Sequence, residues 1–141
     1  MPHHVRIYLP LTPAQCRDLA NTRRVEGPLA GYAVTESLRA SDPDGDAESW
    51  EYAALQDAAA AAYEDRRPVV VAAVDLDRDQ FDDTASTGSR IEVTGVVTLP
   101  RVAALHVGDD VLGGPAPPEA GAEIELSWFD TTEFGYLTSL L

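Results

Sequence analysis

Residues 5–9 alternate, with Val5, Ile7 and Leu9 on one face, and predict an opening strand. Thr12-Pro13-Ala14-Gln15 then carries the signals of a helix start: a capping hydroxyl, a proline for the first turn, and a glutamine able to reach back to the cap. Cys16, Leu19 and Ala20 follow at helical spacing, and Gly27-Pro28 ends that region. Residues 31–34 read as a short extended stretch, with Thr35 capping a helical turn that contains Leu38. The longest helix is predicted from Ala47 to Asp65, with Tyr52, Leu55, Ala59, Ala62 and Tyr63 as its core-facing stripe. Trp50, Ala54, Ala58 and Ala61 form a neighbouring stripe.

Pro68 closes that helix. Residues 69–74, Val-Val-Val-Ala-Ala-Val, lack polar alternation, as expected of a central strand covered on both faces. Residues 91–99 alternate instead, with Ile91, Val93 and Val97 inward, and predict one strand with a wet face. Another strand is expected over 102–107, and a surface loop over 113–118. A last strand places Ile124, Leu126 and Trp128 on one, inward, side. Asp130 and Glu133 frame a final helix with Phe134, Leu137 and Leu141 inward. These elements predict a single α+β domain over residues 1–141. It has two layers: a mixed β-sheet of about five strands, and three to four helices mostly on one face. The long connection from the first strand to residue 69 permits a right-handed parallel crossover.

Charge changes the picture by exclusion. Twenty-four acidic residues face ten basic ones, all arginine, for a formal net charge of −14. Such a chain repels nucleic-acid phosphates and anionic lipid, so neither nucleic acid nor membrane is an expected partner. No apolar run approaches the roughly 20 residues that span a bilayer. The single cysteine, Cys16, cannot form an intrachain disulfide, and the start Met1-Pro2-His3-His4 lacks the pattern of a signal peptide. The expected location is the cytoplasm.

Several segments together resemble a known group: Arg6-Ile7-Tyr8-Leu9-Pro10-Leu11-Thr12, Ala33-Val34-Thr35, Glu51-Tyr52-Ala53-Ala54-Leu55, Val69-Val70-Val71-Ala72-Ala73 and Leu126-Ser127-Trp128-Phe129. Through them the chain resembles, over nearly its whole length, a family of small uncharacterised actinobacterial proteins of unknown function. That resemblance implies no activity, cofactor or catalytic residue.

Candidate chemistry is sparse. Asp42, Asp44 and Asp46 occupy the first, third and fifth places of a calcium-loop pattern, but the sixth is Ala47 and the twelfth Ala53, so the sharp turn and bidentate ligand are missing. A solvated turn with Asp46 capping the long helix is the reading adopted, and no metal is expected. His3 and His4 at the terminus suggest at most an incidental metal chelate. His106, at the end of an apolar strand, is the one candidate general base, against a half-buried structural role. Pro2 before a strand and helix evokes the tautomerase base, with Arg6 or Arg39 holding an anionic substrate, but the repeat of that fold is absent. Trp50, Tyr52, Trp128 and Phe129 are candidates to line a pocket, with Asp130 and Glu133 as carboxylates. Phe129, out of phase with Trp128, is a candidate exposed contact aromatic. No glycine-rich phosphate loop is present, and no cofactor is expected.

The leading expectation is a non-catalytic cytosolic interaction module, with a basic protein partner or a second copy of the chain as a homodimer. The alternative is a small-molecule binder or enzyme with a pocket between the long helix and the sheet, using His106, Arg6, Arg39 and Asp130. Mimicry of nucleic acid by the acidic surface ranks last.

Overall fold

The alternation of residues 5–9 becomes strand β1 (His4–Pro10), whose Ile7 and Leu9 are sealed in one core while Tyr8 enters another. The structure is a computed structural model that describes residues 4–83, 87–114 and 123–141. Thr12 caps α1 (Pro13–Asn21) through the expected reciprocal bonds with Gln15, and Cys16 and Leu19 are buried. Two short strands follow, β2 (Arg24–Glu26) and β3 (Leu29–Ala33). Thr35 caps α2 (Glu36–Ser41), and Asp46 caps α3 (Ala47–Glu64) by exchanging hydrogen bonds with Ser49. Beyond α3 come β4 (Val70–Asp77), β5 (Phe81–Asp82), β6 (Arg90–Val93), β7 (Val96–Thr98), β8 (Val102–Gly108) and β9 (Leu126–Phe129). A turn over Thr131–Glu133 leads into α4 (Phe134–Ser139), with Phe134 and Leu137 buried as expected.

Both helices and strands are present, so the α+β class holds, but the main sheet has seven strands rather than about five. Its order is β5-β6-β3-β1-β4-β8-β9, and β2 and β7 form a separate ribbon. The sheet is not mixed: every pairing is antiparallel. A parallel crossover does exist, but it joins β3 to β4 through α2 and α3. Since β1 runs antiparallel to both, those two strands run parallel to each other with β1 between them.

The helices do not gather on one face. On one side, Ala54, Ala58, Ala59 and Ala62 of α3 pack on Tyr8, Val69, Val71 and Ala73, joined by Leu38 and Ile124. On the other side, Cys16, Leu19, Phe134 and Leu137 of α1 and α4, with Val25 and Val97 of the ribbon, cover Ile7, Leu9, Val70, Ala72, Val74 and Leu76. Strand β4 thus lies between two cores, which is why residues 69–74 carry no polar side chain. The result is three layers.

Three local expectations change with it. Tyr52 is 46% exposed, because burial on α3 follows the alanines, which let the helix approach the sheet closely and leave larger rings at its margins. Residues 91–99 are not one strand: Gly95, at φ +97°, takes a left-handed conformation between β6 and β7, which belong to different sheets. Trp128 is not core but 62% exposed. Pro2, His3 and residues 115–118 of the expected loop lie outside the described residues.

Candidate functional site

The residues of β1 and β4 that face α3 change from apolar to polar along the strands. Arg6 lies opposite Asp75 and His4 opposite Asp77, one row after another. The Arg6 guanidinium donates to Asp75 twice, at 2.8 Å from Nε and 3.3 Å from Nη2, and the carboxylate raises the arginine's pKa. Asp77 sits between His4 (3.3 Å) and Arg101 (3.5 Å). One row nearer α3, the Tyr8 hydroxyl donates to Glu51 Oε2 at 3.3 Å, and burial, reinforced by the Glu51 charge, pushes the phenol up to about 12. The chain pays for polar groups at this margin with partners, as partly buried charges require.

His106 meets the edge of the Tyr8 ring at 6.3 Å between centroids. Burial first, and the nearby Arg6 charge second, lower its pKa, so the imidazole is neutral at pH 7. Directly across the ladder from His106 stands Trp128, on the same sheet face. Gln56 of α3 grips the backbone of Ile124 from both sides, donating to its carbonyl (2.8 Å) and accepting from its amide (2.9 Å). Tyr52 donates to Glu123, which pushes its phenol up to about 12. Glu123 and Glu125 are exposed and bear electrostatically on Tyr52. The outcome is a corner between α3 and the β8–β9 edge: a ledge of Tyr8, His106 and Trp128, with Tyr52, Glu51, Glu123 and Glu125 around it.

Of the residues singled out in the sequence, Arg6 and His106 are brought together, and Trp128 joins them. Arg39 and Trp50 instead meet each other, the guanidinium 5.8 Å above the indole, whose Nε1 donates to the Asp42 carbonyl at 3.0 Å. Asp130 is a cap: its carboxylate accepts from the Thr132 amide at 3.1 Å, and Glu133 accepts from the Asp130 amide at 3.2 Å. Phe129 is turned to the opposite face and packs on the core beneath α1 and α4, so it is not an exposed contact aromatic. Cys16 is sealed in that core and burial pushes its thiol up to about 12, which leaves almost no thiolate for chemistry. Among the described residues, no three His, Cys, Asp or Glu side chains gather as a metal site.

Asp75, Glu51 and Tyr8 escaped the sequence reading as site residues. Their signal was present in Val74-Asp75-Leu76-Asp77, where an apolar run turns into alternation, and in the even positions of β1. The space between α3 and the sheet is filled by alanine packing. Among the described residues, clefts lie elsewhere, including one of about 510 Å³ over Leu29, Asp82, Arg90 and Glu92 and one of about 620 Å³ beside α2.

Fold and site together define a small antiparallel α+β domain in which two exposed aromatics, Tyr52 and Trp128, lie on the α3 side of the sheet. The chain belongs to a family of unknown function (DUF6912), whose model matches residues 5–138. It has no match among curated proteins or among solved structures.

Proposed function

We propose that this protein is a non-catalytic binding module that docks a basic protein segment on the corner formed by Trp128, Tyr52, His106 and the surrounding carboxylates. One observation carries the reading: Trp128, 62% exposed, stands on the outermost strand of the sheet, which follows directly on the exposed Glu123 and Glu125 in the chain. An exposed indole among carboxylates suits an arginine or lysine side chain, which stacks on the ring while its charge is met by the acids. A net charge of −14 steers such a partner toward the surface. Catalysis finds less support, since Arg6, Tyr8 and Asp75 are engaged with one another or with Glu51, and Cys16 is sealed. A cytoplasmic location and a partner distinct from the chain itself complete the proposal.

The test is a fluorescence and calorimetric titration with an arginine-rich octapeptide and a glycine-serine control of equal length at low salt. Saturable binding of the basic peptide, weakened in Trp128→Ala, supports the reading. Equal binding of both peptides, no binding, or an unchanged affinity in Trp128→Ala defeats it. Sedimentation of the free protein as a dimer that loses its dimer state in Trp128→Ala replaces the basic partner with a second copy.

A further inference from the structure

The cleft beside α2 is independent of the acidic corner and differs from it in chemistry. About 620 Å³ in volume, it falls in the range of small-molecule sites. Its wall combines Arg39 and Arg78 with Glu36 and Asp83, while Val34 is its one apolar lining residue. Both arginines are held by their faces: Arg39 lies 5.8 Å over Trp50, and Arg78 lies 5.8 Å over Phe81. A guanidinium stacked this way keeps its planar N–H edge for a ligand. Among the described residues Arg39 forms no ion pair, and Arg78 reaches only Asp83, at 3.5 Å. The two hydroxyls of the wall are already engaged with the segment opposite, Thr35 donating to the Gly88 carbonyl and Ser37 accepting from the Gly88 amide. They fix the wall and leave recognition to the charged groups.

Those four charged groups sum to zero in a protein of net charge −14. A simple anion entering here meets two carboxylates at close range and a repulsive field beyond them. A simple cation meets two guanidiniums. A compact molecule carrying both charges meets a partner for each and feels little of the net field. We infer that this cleft binds a zwitterionic small molecule of the α-amino-acid class, with the carboxylate on the edges of Arg39 and Arg78 and the ammonium toward Glu36 and Asp83. With one apolar lining residue, the cleft favours a small or polar side chain on the ligand.

Calorimetry and ligand-observed NMR of the intact protein against the twenty free amino acids test this. Each binder is compared with the amine lacking its carboxylate and the acid lacking its ammonium. The expected result is saturable binding of at least one small or polar amino acid below 10 mM, taken as roughly the weak limit of specific recognition. Either single-charge analogue is at least tenfold weaker, and so are Arg39→Gln and Arg78→Gln. Both substitutions replace side chains at the surface, and unchanged circular dichroism verifies the fold. Absence of any saturable binder, equal binding of a single-charge analogue, or unaltered affinity in both arginine variants overturns the inference. Binding to Trp128→Ala is expected to be unchanged, which separates this site from the acidic corner.

Discussion

Neighbouring aromatics on β9 face opposite sides of the sheet, and truncating each in turn tests that geometry. Removing a fully buried Trp or Phe side chain costs about 3–5 kcal/mol. Trp128 is 62% exposed, so little more than a third of its surface is withdrawn from water, and Trp128→Ala is expected to cost about 1–1.5 kcal/mol. Phe129 is mostly covered and packs on Leu105, Phe134 and their neighbours, so Phe129→Ala is expected to cost about 3 kcal/mol. For a chain of this length each kcal/mol moves the melting midpoint by about 4 °C. The midpoints should then fall by roughly 5 °C and 12 °C respectively. Far-UV circular dichroism during urea and thermal unfolding is the right assay, because it does not depend on the tryptophan being deleted. Binding should invert the order: Trp128→Ala weakens the basic peptide by about tenfold or more, the scale of an aromatic hot spot, while folded Phe129→Ala binds as the parent does. A Trp128→Ala variant as unstable as Phe129→Ala would mean that the indole packs inside, and both the corner and its proposed ligand would fall.

Other expectations follow from the same geometry. The His106 imidazole, titrated by NMR, should have its midpoint below the ordinary 6.5, and Arg6→Gln should raise it without reaching that value, because burial is the larger cause. The folded state holds the neutral ring, so its contribution to stability is complete above pH 6.5 and is lost as pH falls below it. The decline in stability from pH 7.5 to 5.5 should therefore shrink in His106→Gln, and an equal decline refutes the assignment. Replacing Glu123 and Glu125 by Gln should slow association of the basic peptide and flatten its salt dependence, whereas Trp128→Ala should speed its dissociation, both read by stopped flow. The thiol of Cys16, pushed up to about 12, should resist a thiol-reactive dye at pH 8 until denaturant is added; prompt labelling of the native protein contradicts its burial. Gly31→Ala places a methyl group 2.9 Å from Ile7 Cγ2 and 3.2 Å from Leu9 Cδ2. It should cost about 1–3 kcal/mol by urea unfolding, and a neutral effect would show that this core yields freely.

Local chemistry was legible in the sequence wherever it was self-contained. The Thr12–Gln15 cap, the Asp46 start of α3, and the double burial of β4 each depend on residues within a few positions of one another. Strands β2 and β5, three and two residues long, are too short to show a period, and they exist because a distant partner offers its edge. Chain order alone does not say that β1 inserts between β3 and β4, so it does not fix strand direction. Trp128 shows the deeper difficulty. It shares the parity of Ile124 and Leu126, and the structure keeps all three on the α3 side. Parity names the face of a sheet but not how far along that face the covering helix extends. The same limit hid Asp75 and Glu51 as partners of Arg6 and Tyr8, although Arg6 and His106 themselves had been singled out.

Where α3 stops covering the sheet decides the rest. Along β1 the α3-facing side chains pass from buried Tyr8 to half-buried Arg6 to exposed His4, so one sheet face changes within five residues from core to surface. At the half-buried margin the desolvation cost of a charge is offset only if an opposite charge is near, and Asp75, Glu51 and Asp77 supply it. Farther out, just before β9, water does that work, so the exposed Glu123 and Glu125 need no basic partner. Pairing at the margin and its absence at the rim thus share one cause, and the exposed Glu123 and Glu125, just before Trp128 in the chain, add to the negative field of a protein with net charge −14. A site that recognised an anionic partner there would have to work against that field. For a basic segment the same field aids both the approach to Trp128 and the contact with it.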